Sequence, residues 1–304
     1  MKRREFLRQV SLWSAGCLVS PPLFKITPQL FASEPGKSKL IVGTGTAYEN
    51  LVFRVLQPLG GMSSFVKKGS RVVIKPNIAW DRRPEQAATT HPLVVKALAQ
   101  MALDAGASEI KVFDRTCNEE RRCYNNSGIK PEMDSMKDPR IQCVHIDKRK
   151  FVPVKIEKGK AVTEWSFYKD ALEADCYINV PIAKQHGLSR LTLGLKNVMG
   201  VIGGKRGKIH SDIAQKLADL NTVIRPQLTV VDATRILLRN GPQGGNPDDV
   251  RKMDTIIASA DPVAADAYAT TLFGLQPEDI ESTRAAYQMG LGEMNLSKLE
   301  IITL

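Results

Sequence analysis

The run Arg71-Val72-Val73-Ile74-Lys75-Pro76-Asn77 is short and uniformly apolar until it stops in a cation, a proline and an amide. From Pro92 to Asp104 apolar residues recur at helical spacing, closed by Ala105-Gly106-Ala107. A second uniform run follows, Glu109-Ile110-Lys111-Val112-Phe113, ending in Asp114-Arg115. Uniform runs are what strands buried on both faces show, and strand, helix, strand at these lengths is a parallel βαβ unit. Working outward, Leu40-Ile41-Val42, Cys176-Tyr177-Ile178-Asn179-Val180, Leu228-Thr229-Val230-Val231 and Thr255-Ile256-Ile257-Ala258 repeat the strand signature. Ser211 to Val223 and Pro262 to Phe273 repeat the helical one, with Thr90 and Asp261 placed as caps for two of the helices. A helix is also expected at Asp232, followed by the turn-rich loop Asn240 to Pro247. The expected fold is α/β, with a largely parallel sheet and flanking helices.

The middle of the chain departs from this rhythm. Residues 117 to 170 are rich in Arg, Lys, Asn, Asp and Pro, and Val152 to Ile156 with Ala161 to Trp165 suggest a hairpin around Lys158-Gly159-Lys160. This reads as an inserted basic lid over the sheet. Residues 33–304 are otherwise one α/β domain, with any change of subdomain near residue 170.

The 304 residues are 43% hydrophobic and 25% charged, which excludes disorder, a collagen-like repeat and a small disulfide scaffold. The net charge of +11 raises nucleic acid or an anionic membrane as partners. Part of it belongs to an address. Lys2-Arg3-Arg4-Glu5-Phe6-Leu7-Arg8 precedes an apolar run from Val10 to Phe24 broken by Gly16, Pro21 and Pro22, with the small residue Ala32 beyond. No transmembrane helix fits this stretch. It has the layout of a cleavable export signal over residues 1–32, and the paired arginines before Phe-Leu resemble the twin-arginine type. That implies a periplasmic or otherwise exported protein, recognised by the twin-arginine export machinery, with Cys17 an alternative lipid-attachment site. Lys2, Arg3, Arg4, Arg8 and Lys25 against Glu5 supply +4 of the charge and leave +7 on the remainder. Those basic residues are not interleaved with aromatics, so nucleic acid is not expected.

No Cys-x-x-Cys pair exists, so neither a cysteine-ligated iron-sulfur cluster nor a structural zinc site is expected. Cys117 and Cys123 are the pair to expect if a disulfide forms in an oxidising compartment, and Cys176 reads as a buried hydrophobe.

In open α/β sheets ligands bind beyond the carboxyl ends of the strands. The residues at that station are Lys75 and Asn77, Asp114 and Arg115, Lys184 and His186, and Asp232. The densest segment continues through Lys196-Asn197 and Gly200 into Gly203-Gly204-Lys205-Arg206-Gly207-Lys208-Ile209-His210. Glycines admit close backbone approach and offer free N–H groups, and the flanking cations suit a phosphate or carboxylate. An anionic small molecule is therefore the expected partner, with Lys75, Asn77, Asn197, Gly200, Gly203, Gly204 and Asp232 as candidate ligand- or cofactor-binding residues. Lys184, His186 and Lys196 are the candidates for chemistry. His186 and His210 can each serve as metal ligand or general acid/base. Asp266 has either a buried hydrogen-bonding role or a site role. The segment fits neither a Walker loop nor a dinucleotide fingerprint, and no Gly-x-Ser-x-Gly or His-Glu-x-x-His occurs.

Together these residues resemble the family known as domain of unknown function 362: Lys75-Pro76-Asn77, Lys184-x-His186, Leu195-Lys196-Asn197-x-x-Gly200, His210, Asp232, Gly241-Pro242 with Gly244-Gly245, Asp261, Asp266 and Gly290-Leu291-Gly292. The order His186, Lys196, His210 also resembles that of nickel-pincer lactate racemases. That likeness implies a metal or metal-containing organic cofactor, with Lys196 as its tether, His210 as metal ligand and His186 as the proton-transfer group. The early-strand histidine and Asp-x-Thr-Arg loop of those enzymes are missing here. The reading is an exported protein binding an anionic ligand at strand ends, with or without a metal, for a lyase, isomerase or redox step. The alternative is a non-catalytic periplasmic binding or assembly factor using basic runs such as Arg121-Arg122 and Lys148-Arg149-Lys150.

Overall fold

The computed structural model describes residues 37–304; the export-signal expectations for residues 1–32, Cys17 and Ala32 included, lie outside them. In chain order the elements are β1 (Lys39–Thr44), α1 (Tyr48–Leu56), β2 (Arg71–Pro76), α2 (Pro92–Asp104), β3 (Glu109–Val112), α3 (Glu120–Asn126), α4 (Ile129–Ser135), β4 (Ile141–Cys143), β5 (Phe151–Lys155), β6 (Glu164–Tyr168) and α5 (Lys169–Leu172). The second half contains β7 (Cys176–Val180), β8 (Ile182–His186), β9 (Arg190–Thr192), α6 (Gly194–Asn197), α7 (Ile213–Asn221), β10 (Leu228–Leu237), β11 (Val250–Ser259), α8 (Pro262–Thr271), α9 (Glu281–Gln288) and β12 (Glu300–Thr303).

One large sheet runs β12-β1-β11-β10-β7-β2-β3-β4, with β8 beside the outer part of β10 and β9 beside β8. The β4-β3-β2-β7-β10 half is wholly parallel. β11 runs antiparallel to both β1 and β10, and β8–β9 is an antiparallel pair. The fold is α/β with a mostly parallel sheet flanked by helices.

The uniform apolar runs have a direct cause. Along β2, Val72 and Ile74 pack with Val94, Val95 and Leu98 of α2, while Val73 packs on the opposite face with Phe113, Phe167 and Tyr177. β7 divides likewise, with Cys176, Ile178 and Val180 to the helical side and Tyr177 to the other. Helices cover one face and the β5–β6 hairpin with α7 the other, so neither side of the strand can be polar. The same period of two puts Lys75 on the face of Val73 and Asn179 on the face of Tyr177, directly opposite each other in the β2–β7 register.

Four local expectations need correction. β10 continues as a strand through Asp232 to Leu237 in place of the helix, because β11 and β8 supply ladder partners on either side. His91, not Thr90, caps α2, its ring accepting the Leu93 N–H; the Thr90 hydroxyl instead joins strands, donating to the Val180 carbonyl and accepting from Asn77 N–H. Asp261 does cap α8, through Val263 and Ala264 N–H. The hairpin forms as Phe151–Lys155 against Glu164–Tyr168, shifted because Phe167 must reach the core and pair with Ile202. Cys117 and Cys123 are both free thiols: Cys123 is buried on α3, whereas Cys117 is exposed in the loop before it. Residue 170 lies in α5, and the sheet draws adjacent strands from both sides of it, β2 and β7.

Candidate functional site

The ends of β2, β3, β7 and β8 converge on a buried polar network. Lys75 Nζ is 2.8 Å from Asp114 Oδ1, 2.7 Å from Asn197 Oδ1 and 2.8 Å from the Pro76 carbonyl oxygen. Two of these contacts are hydrogen bonds and the third is an ion pair, and the Asp114 carboxylate favours the ammonium form of Lys75 while burial pulls its pKa down. Asp114 is fixed in turn by the Ile78 N–H at 2.6 Å. Asn197 donates to the Lys75 carbonyl and to Asn179 Oδ1, and Asn179 donates to the Gly194 carbonyl. Asn77 reaches Asn197 Oδ1 at 3.4 Å. Gly200 is required here: a Cβ would overlap the Lys75 amine and the Asp114 carboxylate.

Lys184 and Lys196 belong to the same neighbourhood but have no carboxylate of their own. Lys184 Nζ donates to the Ala88 carbonyl at 2.6 Å and to Asn77 Oδ1 at 3.4 Å; burial pushes its pKa down to about 7. Among the described residues Lys196 Nζ meets only the Met199 thioether, at 3.4 Å, and burial lowers its pKa to about 8, with Arg206 adding to the effect. The backbone carrying Lys196 is held by α8. Asp266 accepts the Gly194 and Leu195 N–H groups at 2.7 and 2.9 Å, and a Cβ on Gly194 would strike that carboxylate. Asp266 thus has the buried hydrogen-bonding role, and through it α8 positions the lysine.

His186 and His210 come together, their rings roughly parallel with centroids 6.4 Å apart. Their hydrogen bonds assign opposite tautomers. His186 Nδ1 accepts the Leu188 and Ser189 N–H groups, so its proton is on Nε2. His210 Nδ1 lies 3.3 Å from the Gly207 carbonyl and carries the proton, leaving Nε2 as a base. Burial, then the charges of Lys196 and Lys184, hold His186 down at about 3, and burial with Lys196 lowers His210 as well. Both rings are neutral at physiological pH. Among the described residues no three His, Cys, Asp or Glu side chains gather to enclose a metal, so a metal on His210 would take its remaining ligands from a bound molecule or water.

Three expected residues sit apart from the lysines. Gly203 and Gly204 serve the hairpin: a Cβ on Gly203 would press on Phe151 and Ser166, Trp165 donates to the Gly203 carbonyl, and Arg115 donates to that of Gly204. Asp232 is fully buried, accepting His91 N–H at 2.6 Å and the Thr234 N–H and hydroxyl, and so pins the loop leading into α2. Two further contributors carried weak sequence signals. Asn179 lies inside an apolar strand run, and Arg206 in a basic string. The latter ties the segment carrying the glycines to the loop after β3, donating to the Arg115, Thr116 and Met199 carbonyls and lying 3.6 Å from Cys117 Sγ.

Among solved structures, the lactate racemase apoprotein of Thermoanaerobacterium thermosaccharolyticum matches with a TM-score of 0.44 at 11% identity, over 73% of this chain and 54% of that one. A Thermotoga maritima protein matches at 0.38 and 11% identity, over 79% and 59%. The chain therefore spans less than two thirds of either. A thylakoid-associated protein of Synechocystis sp. is 30% identical over 251 residues, 78% of this chain and 73% of that protein. Residues 72–271, which contain every strand end of the lysine cluster, match the family described as domain of unknown function (DUF362), and the chain belongs to that family.

Proposed function

We propose that the strand-end cluster binds a small oxyanion, a carboxylate or phosphate, and moves a proton on the molecule that carries it. One observation carries this reading: three buried lysines share a single buried carboxylate, and Asp114 is already committed to Lys75. An ammonium withdrawn from water without a counter-charge costs several kcal/mol, which an anionic ligand between Lys184 and Lys196 would offset. His186 adds a neutral Nε2–H donor beside them, and His210 Nε2 supplies a base of matching reach. Cationic and N–H donors together with a neutral base suit lyase or isomerase chemistry. The same proposal takes residues 1–32 as an export signal, and the paired arginines Arg3-Arg4 before Phe6-Leu7 support that reading.

The competing view, a binding or assembly factor using its basic runs, has less support. Arg122 is paired with Asp81, Arg149 with Asp147 and Lys150 with Asp170, so three of the five charges in these runs already have a partner carboxylate within the chain.

The test is a thermal-shift and calorimetric titration with phosphate, sulfate, oxalate and malonate against the wild type, Lys184→Met and Lys196→Met. At least one oxyanion should bind the wild type, weaken as pH rises through about 7 to 8, where Lys184 and then Lys196 lose their protons, and bind both variants poorly. Equal binding by wild type and variants, or none at all, would end the proposal.

A further inference from the structure

The three lysines are not equivalent, and the difference bears on what kind of anion the site takes. Lys75 donates to two oxygens and is ion-paired with the Asp114 carboxylate. Lys184 is tethered at both a carbonyl and an amide oxygen. Lys196 has no oxygen partner among the described residues; its nitrogen rests against a thioether, a weak acceptor, with only 8% of the residue exposed. Its backbone, by contrast, is clamped: Asp266 holds the N–H groups of the two preceding residues, the Asn221 amide donates to the Leu195 carbonyl, and the next side chain, Asn197, is locked between β2 and β7. A fixed stem ending in an unbonded amine, in a desolvated spot among other cations, is the arrangement that makes a lysine a nucleophile toward carbonyl carbon.

We propose that Lys196 is the carbonyl-reactive amine of this site, condensing with an aldehyde or 2-oxo acid whose anionic group lies against Lys184. Resting on the anion-binding reading, this narrows the ligand to a carbonyl compound bearing a carboxylate or phosphate. The Lys196 nitrogen lone pair forms the N–C bond as the C=O π pair moves to oxygen. One amine proton passes to that oxygen, giving the carbinolamine, with His210 Nε2 as the relay. Loss of the second nitrogen proton and of hydroxide, together as water, breaks the C–O bond and leaves C=N. Both hydrogens of the neutral amine depart in that water, so no oxidant or reductant is needed. With a pKa of about 8 against an ordinary 10.5, Lys196 offers about three-hundredfold more free amine at neutral pH than a surface lysine.

The experiment is reductive trapping of the full chain with glyoxylate and sodium cyanoborohydride, the modified lysines being located by peptide mass spectrometry. The expected result is a carboxymethyl group on Lys196 far ahead of all other lysines, suppressed by excess oxalate, which has the charge but no reactive carbonyl. Lys196→Arg, shown to keep the wild-type melting temperature, should lose the label; Lys184→Met should slow it. Label scattered over surface lysines with Lys196 not preferred overturns the inference. If oxalate stabilises the protein yet Lys196 is not trapped, the anion site stands and the amine chemistry falls. If neutral acetaldehyde labels Lys196 as well as glyoxylate does and oxalate offers no protection, the anion site falls and the choice of 2-oxo acid with it.

Discussion

Asp266→Asn tests the clamp that holds Lys196. Asp266 is buried on α8, where its two oxygens accept the Gly194 and Leu195 N–H groups at 2.7 and 2.9 Å. Burial is the main reason its pKa rises from 3.8 to about 7, with Asp261 adding and the two N–H bonds opposing. In the unfolded chain the carboxyl loses its proton near the ordinary value, whereas the folded protein keeps it to about pH 7. The folded state therefore binds more protons over that interval, and its contribution to stability, complete below about pH 4, is lost as pH rises through 7. At 1.36 kcal/mol per pH unit the loss is about 4 kcal/mol. Asparagine cannot ionise and removes this slope. Its amide sets an NH2, which only donates, where even the protonated acid keeps a hydroxyl oxygen able to accept, so one of the two N–H groups loses its partner at a cost of about 1–3 kcal/mol. The variant should thus be less stable than wild type near pH 5 and more stable near pH 9, the curves crossing in between. Urea denaturation of both proteins across that range reads the crossing directly. A stability difference that stays flat with pH would show that the Asp266 carboxyl is not held as a desolvated acid, and a variant as stable as wild type near pH 5 would show that the two N–H bonds do not clamp the turn.

Gly200→Ala forces a methyl into the Lys75–Asp114 pair and should cost about 3–5 kcal/mol, as breaking a buried pair does. Gly207→Ala, with open space around it, should stay within about 0.5 kcal/mol in the same denaturation assay. Lys184→Met should gain most on wild type below about pH 7, where the folded protein buries a charged amine, and its advantage should fade as pH approaches 10.5. In native protein, iodoacetamide followed by peptide mass spectrometry should label exposed Cys117 well before buried Cys123 and Cys176; a disulfide between Cys117 and Cys123 would block both.

The parallel half of the fold was legible because its cause is local to each strand. A strand covered on both faces must be apolar at every position, as Val72 to Ile74 and Cys176 to Ile178 are, and a helix must intervene before the next parallel neighbour. What the pattern leaves open is direction and partner. β11 carries the same apolar signature as β7, yet it runs antiparallel to β1 and β10; after β10 the chain returns through residues 238–249, which hold no crossover α-helix. Asp232 misled for a related reason: a lone carboxylate after an apolar run looks like a strand end, but here the ladder continues past it, and the carboxylate turns to the loop before α2.

The site was legible as a set of residues and not as a charge balance. Lys75, Asn77, Lys184, Lys196, Asn197, His186 and His210 are visible one by one, each at a strand end or a glycine turn. Which lysine owns Asp114 is not, since that depends on Lys75, Asp114 and Asn197 meeting from three separate parts of the chain. Neighbours in sequence behave oppositely as a result. Asn197 is bonded on every side and acts as a strut, while Lys196, one residue earlier on the same turn, has a fixed backbone and an unengaged amine. The turn is built so that one side chain points into the network and the next out of it. On the proposal made above, stability and reactivity reside in different side chains, so changing Lys196 should cost little stability, whereas changing Asn197, Gly200 or Asp114 should cost several kcal/mol.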